Sequence, residues 1–409
     1  MTDTLNFAGA YKITQADLTS YNGVSVSILD MIHNISIYED IFAPFMTIDV
    51  LIEDHIGLYH KMPIIGEELF EITVSNTENG DGMKNAKFFL YKTKDFMEKG
   101  QRGFLYTMSF ISIEALKDMN LKLSKAYKGT ASAIAKSLLK TDALTTDKQI
   151  YVEETSGNLS YTSNYWPPIK NFKYLCQRAI STATKSPSYV FFENKFGFNF
   201  ISLATLKGQE PVFSYTYSSR LNQDVGPAFR RIENIYIDRG IDYITKIQDG
   251  AYGSNVVYTD PTRKSYLYKY YDFLAAFEKQ PRLNEVPFGS DKATRRVNGA
   301  FYLNVTPTFA RTGMNDENSE RWFQERIAEL GAINAITIQV EVAGSFDVAA
   351  GQTTDIYMYT GDVPNTDNFN DSLDPIYSGR YLISAVAHTL NRERHSMILT
   401  LSKDSLVKK

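Results

Sequence analysis

The sequence predicts a predominantly β protein of the α+β class: two similar small antiparallel β-barrels with a mixed helical and β region inserted. Three observations carry this. Apolar and polar residues alternate over short segments between residues 24 and 113, and again between 333 and 406. Between those regions the apolar spacing changes to three and four residues, the period of an amphipathic helix. Aromatics are plentiful but skewed, with 27 Tyr and 25 Phe against 2 Trp, and Tyr and Phe suit pleated, half-buried surfaces.

The elements follow in order. "VSVSILD" comes after the turn signal Asn22-Gly23. In "FMTIDVLIED", Met46, Ile48, Val50 and Ile52 alternate with Thr47, Asp49, Leu51 and Glu53, and only Leu51 breaks the polar face. "PIIGEELFEITVS", "KFFLYKTKDF" and "FLYTMSFISI" repeat the alternation across Gly-rich turns. From Leu116 to Asp147 the pattern is helical, clearest in "TASAIAKSLLK", with Thr130 as cap and Ile134, Leu138 and Leu139 toward a core. "NFKYLCQRAISTATKSPSYVFFENKFGFNF" then changes period within itself. Phe172, Leu175, Cys176, Ala179, Ile180 and Ala183 form a helical stripe, and Pro187 ends it. Tyr189 to Phe192, a polar turn at Glu193-Asn194-Lys195, and Phe196 to Phe200 read as a hairpin.

The middle is less regular. "RIENIYIDRGIDYITKIQDGAYGSN" reads as two strands and a turn, "KSYLYKYYDF" as a Tyr-rich strand, and Lys279 to Arg296 as exposed loop. "ENSERWFQERIAELG" reads as a helix with Phe323, Ile327 and Leu330 apolar, stopped by Gly331. The last segments return to strands, in an order that repeats the beginning. "FMTIDVLIED", "PIIGEELFEITV", "KFFLYKTKDF" and "FLYTMSFISIEAL" correspond in turn to "ITIQVEVAG", "VAAGQTTDIYMY", "RYLISAVAHTL" and "SMILTLSKDSL".

Chemistry is sparse. The formal charge is −4, from 43 basic and 47 acidic residues, without the basic excess of a phosphate-gripping protein. The pairs Arg230-Arg231 and Arg295-Arg296 are isolated and read as solvated or salt-bridged. Cys176 is the one cysteine, so no internal disulfide forms, and its place on the helical stripe marks it as a small buried hydrophobe. His33, His55, His60, His388 and His395 are scattered, none at zincin spacing, and each reads as solvated or locally bonded. Phosphate-loop and Gly-x-Ser-x-Gly patterns are absent. Glu67-Glu68 and Glu153-Glu154 carry no argument without a fold to converge them. We therefore expect no catalytic, cofactor-binding or metal-binding residues, and no cofactor. "MTDTLNFAGAYKITQ" lacks a signal-peptide pattern and no run of apolar residues is long enough to span a membrane, so folding in the cytosol without membrane insertion is expected.

The helix running into "PSYVFFENKFGFNFISL" resembles the central part of the baseplate hub proteins of contractile-tailed bacteriophages. "SIEALKDMNLKLSKAYKGTASAIAKSLL", "ITKIQDGAYGSNVVYTDPTRKSYLYKYYDF", and "GSFDVAAGQTTDIYMY" with the closing hairpin are similar to that family's passages into and out of its barrels. The resemblance spans nearly the whole chain and rests on apolar spacing, with no invariant chemical residue.

The resemblance implies a non-enzymatic virion protein of the tail baseplate, assembled in the host cytoplasm. Three copies would set six quasi-equivalent tube barrels around a channel, joining the sixfold tail tube to the threefold spike. Its implied partners are two further copies of itself, the tail tube protein, the central spike protein, other baseplate proteins and the tape measure protein, with DNA as transient cargo. The implied division is a first tube domain at 1–116, a mixed helix and hairpin domain at 117–205, the start of the second tube domain at 206–258, an insertion at 259–331, and the completion of the second tube domain at 332–409. Two alternatives stay open: a hub of a phage-derived injection or type VI secretion-like device, and a tail-associated cell-wall hydrolase. The chain ends at "SKDSLVKK", soon after the closing hairpin, which favours a stand-alone hub.

Overall fold

Alternating segments need partners to satisfy their backbone groups, and they find them in one large sheet. The computed structural model describes residues 8–62, 64–76, 80–99, 103–217, 230–239, 243–260, 264–288, 300–305, 322–359 and 373–408. Six strands form a first unit: Tyr11–Thr19, Ile32–Asp40, Thr47–Asp54, Leu69–Asn76, Gly82–Lys99 and Gly103–Ser112. Six more form a second: Pro211–Tyr217, Ile232–Arg239, Ile336–Ala343, Thr353–Met358, Gly379–Asn391 and His395–Lys403.

Numbered by chain order, both units place their strands side by side as second, third, sixth, fifth, fourth, first. The irregularities repeat as well. In each unit the second strand slips by one residue against the third, at His33 and at Glu233. In each the fifth bulges by one residue against the sixth, at Tyr91 and at Ser384. The units also differ: the first and fourth strands pair antiparallel in the first unit and parallel in the second, and the irregularities between Lys94 and Met97 and between Ile237 and Arg239 have no counterpart. Among the described residues no ladder joins the two outer strands of either unit. The second unit's outer strands approach through an isolated bridge between Thr216 and Arg231.

The register also exposes a sequence echo that the four matched segments missed. Ile32-x-Asn34-Ile35-x-Ile37 coincides with Ile232-x-Asn234-Ile235-x-Ile237, and Thr47-Ile48-x-Val50 with Thr337-Ile338-x-Val340.

Ile35, Ile37, Val50, Phe70, Met108 and Phe110 fill the first unit. Ile338, Val340, Ile356, Val386, Leu399 and Leu401 belong to the second unit's core. A third core holds the mixed region, where Leu138 and Leu139 meet Phe172, Leu175, Phe198 and Phe200. The two β units share one sheet, because the second strand of the first unit pairs antiparallel with the fifth of the second unit, from Asn34↔Asn391 to Asp40↔Ala385. Phe346 and Leu390 of the second unit are buried in the first unit's core, so packing reinforces the ladder.

Thr130 caps Ala131–Ser137 by accepting from Ala133 N at 3.2 Å. Several expectations need correction. The helix expected to reach Ala183 ends at Arg178, because Ile180–Ser181 pairs as a short strand with Thr155–Ser156. Glu193 and Asn194 lie in the Tyr189–Asn194 strand and are buried, so they are not a solvated turn. Tyr243–Gln248 is helical where a second strand was expected. Leu283 and Phe288 are buried within the expected loop, of which 289–296, including Arg295-Arg296, lies outside the described residues. The helix Phe323–Ile333 runs through Gly331, and its buried face is Gln324, Ala328, Glu329 and Ala332, with Phe323, Ile327 and Leu330 half-buried.

Candidate functional site

The joined sheet turns one face to its cores and the other to solvent, since side chains alternate along each strand. Four registered rows cross both units on the solvent face. One runs Gln339, Thr400, Ala385, Asp40. The next runs Glu341, Ile398, Ala387, Tyr38, Thr47, Ile111. Then come Ser396, Thr389, Ser36, Asp49, Ser109, and finally Asn391, Asn34, Leu51, Thr107.

The rows are mostly small and uncharged. As far as the sixth strand of the first unit they contain the carboxylates of Asp40, Asp49 and Glu341 and no lysine or arginine; on the fifth strand the third and fourth rows continue to Lys92, opposite Ser109, and Lys94, opposite Thr107. Asp49 accepts from Ser109 Oγ at 2.6 Å and Lys94 Nζ at 3.0 Å. Glu341 accepts from Asn234 Nδ2 at 2.7 Å. Asp40 accepts from Phe42 N at 2.7 Å, and burial raises its carboxyl above the ordinary range. Where the two units join, the face is smooth and carries few charges.

Buried polar knots hold the mixed region against this sheet. Glu193 accepts from Met46 N at 3.1 Å, Ser112 Oγ at 2.5 Å and Lys148 Nζ at 2.5 Å, and Lys148 also reaches Glu114 at 2.7 Å. Burial raises the Glu193 carboxyl. Burial also opposes ionisation of Glu114, but Lys148 and Thr146 outweigh it and leave that carboxyl lowered. Met46, Glu114, Lys148 and Glu193 line a cavity of about 470 Å³ between the first β unit and the hairpin. At the hairpin turn, Lys195 N donates to Glu39 at 3.0 Å and Lys195 Nζ donates to the carbonyls of Phe346 and Val348. Burial lowers the Lys195 ammonium to about 8. One turn thus contacts both β units.

Nothing in these knots resembles a reaction centre. Among the described residues no three His, Cys, Asp or Glu side chains are placed to hold a metal. The Glu325 carboxyl is raised to about 7 by burial and by Glu329. Neither glutamate lines the cavities of about 470, 200 or 440 Å³. Cys176 is buried and its thiol is pushed up to about 12, which suits the expected inert hydrophobe.

No protein-family model and no curated protein matches the sequence. Solved structures do match in three dimensions. A tail protein from Neisseria meningitidis MC58 aligns over 97% of this chain and 97% of its own, with TM-score 0.57 and 11% identity. The 43 kDa tail protein of prophage MuSo2 from Shewanella oneidensis aligns over 95% and 98%, with TM-score 0.54 and 8% identity. The chain shares the fold of phage tail proteins. A chain of the Francisella PdpA–VgrG complex aligns more loosely, over 99% of this chain and 54% of its own at TM-score 0.48 and 10% identity.

Of the two readings given for the histidines, His388 and His395 take the locally bonded one: the fifth and sixth strands of the second unit bring them face to face, with Nδ1···Nε2 at 3.0 Å. Both are buried, stacked on Phe346 where the two β units meet. Spacing alone did not reveal the pair, because their seven-residue separation spans a hairpin loop. His33 and His55 are exposed, and His55 lies 3.5 Å from Glu53. Glu67-Glu68 does not converge on a cleft; the Glu68 carboxylate accepts from Ile65 N and Gly66 N. Glu153 is tied to Ser181, Ser202 and Thr205, while Glu154 pairs with Lys136.

Proposed function

We propose that this chain is the structural hub of a contractile tail, a ring of three copies whose six β units surround a channel. The observation that supports it is the duplicated six-strand unit, repeated with the same strand order and two coincident bulges inside one chain. A rotational ring needs surfaces that recur by rotation, and an internal duplication lets three chains present six. In this reading 1–116 and the combination of 206–258 with 332–409 are the two tube domains, while 117–205 and 259–331 flank them. The smooth rows of the shared sheet are the channel wall. Each phosphate held by a lysine or arginine would add affinity, and the stretch of wall where the two units join carries none, while Lys94 beyond it is paired with Asp49.

The tail tube and central spike are the partners on the two ring faces, other baseplate proteins and the tape measure protein are neighbours, and the virion baseplate is the location. Function is mechanical and needs no cofactor. Native mass measurement and negative-stain imaging of the purified protein test this: a trimer with a central hole is expected, and a strict monomer counts against it. Incubation with cell-wall fragments tests the hydrolase alternative, since turnover abolished by replacing a single carboxylate would displace the structural reading.

A further inference from the structure

The junction between the two β units is made once within the chain, and each of its two edges has an unused counterpart. The second strand of the first unit, Ile32–Asp40, lies on the far half of the second unit's long fifth strand. The equivalent second strand of the second unit, Ile232–Arg239, is an outer strand with one neighbour among the described residues. The equivalent long fifth strand of the first unit is paired on both sides only up to Phe89. From Tyr91 to Lys99 its far half has just the sixth strand beside it among the described residues.

Burial separates the used edge from the unused one. Ile37, in the made junction, is 0% exposed, and its counterpart Ile237 is 41% exposed. The neighbouring Tyr236 is 63% exposed. On the other unused edge Tyr91, Phe96 and Met97 are 53%, 47% and 57% exposed. Ile56, which corresponds by residue count from the third strands to Phe346, is 51% exposed against 1%. Long edges with bare apolar side chains invite pairing with another chain.

We infer that the second-unit edge Ile232–Arg239 of one copy pairs antiparallel with Tyr91–Lys99 of the next copy, repeating the internal junction between copies. This rests on the ring reading and supplies its interface. Carrying the register across by partners on the sixth strand, past the irregularity between Lys94 and Met97 that the second unit lacks, sets Tyr236 opposite Met97, as Ser36 stands opposite Thr389, and Asn234 opposite Lys99, as Asn34 stands opposite Asn391. The contact is head-to-tail, so identical repeats close a ring and continue the sheet through every unit.

The test mixes two single variants, Tyr236→Cys and Met97→Cys, under mild oxidation, with oligomeric state followed separately by native mass measurement. A disulfide joining the two different positions is expected, and neither variant alone should give it. Met97→Lys and Tyr236→Asp, both at exposed sites, should raise the concentration needed for assembly about tenfold or more while leaving the monomer folded. Trimers that form without the mixed disulfide and ignore both substitutions would overturn the junction and leave the ring standing. A chain that stays monomeric at its highest soluble concentration overturns the ring and the junction with it.

Discussion

At the scale of residues, the groups most exposed to test are charges and imidazoles held where water does not reach. His388 and His395 are buried against Phe346, with Tyr11 edge-on to His395 and Lys195 nearby raising the cost of a positive charge. Burial, and then Lys195, lowers the His395 imidazole to about 3; burial, then His395 and Lys195, hold His388 well below its usual value. A histidine lowered in the fold gives stability that is present above its unfolded pKa, about 6.5, and lost as pH falls toward the folded value. Acidification from pH 6.5 to 5 should therefore cost about 2 kcal/mol for each histidine that stays neutral. Replacing both by glutamine should flatten that part of the profile in urea unfolding, and an unchanged slope would remove the pair from the explanation. Lys148 makes the opposite case. Lys148→Met strands Glu114 and Glu193 without their cation, and the expected loss is about 3–5 kcal/mol at neutral pH. Part of that loss should return on acidification, as the stranded carboxyls take up protons.

At the scale of elements, Gly331 tests packing against intrinsic preference. A Cβ there would lie 2.7 Å from Ala251 Cβ, closer than carbons tolerate. Gly→Ala in a helix ordinarily gains about 1 kcal/mol, but overpacking costs about 1–3. Gly331→Ala should therefore lower the unfolding midpoint, and adding Ala251→Gly should restore it. The same position explains why the sequence reading stopped this helix too early: glycine usually marks a helix end, and only tertiary contact reveals one kept for clearance. Strands with one wet face, such as Thr47–Asp54 and Gly103–Ser112, were legible because their burial follows period two. The second strands escaped comparison although Ile32-x-Asn34-Ile35 and Ile232-x-Asn234-Ile235 share three identities at matching positions. Their alternation is broken by a bulge after the first isoleucine, and only the ladders show that both bulges are the same one. The solvent-facing rows were illegible for a plainer reason. They are assembled from strands far apart in sequence, so no window along the chain contains them.

At the scale of the whole molecule, the question is what a continuous sheet through two β units is for. Separate barrels on a linker could turn independently, whereas a shared ladder backed by Phe346 in the neighbouring core fixes their relative rotation. That rigidity suits a ring wall, and the wall's chemistry can be tested directly. Ala387, Thr389 and Thr400 lie on the solvent-facing rows, each half-buried with a small side chain, so lysine there keeps the ladder and adds charge. The triple variant repeats its three charges in every copy of a ring. If these rows line a channel for DNA, the unmodified protein should show little affinity for duplex DNA at moderate salt. The variant should retain it, with the logarithm of the binding constant falling against the logarithm of salt by about 0.9 for each phosphate neutralised. Retention measured across a salt series separates two ways of being wrong. Strong, salt-steep binding by the unmodified protein would mean that the wall grips its cargo. A variant that assembles normally yet gains no DNA affinity would mean that these rows face something other than the channel.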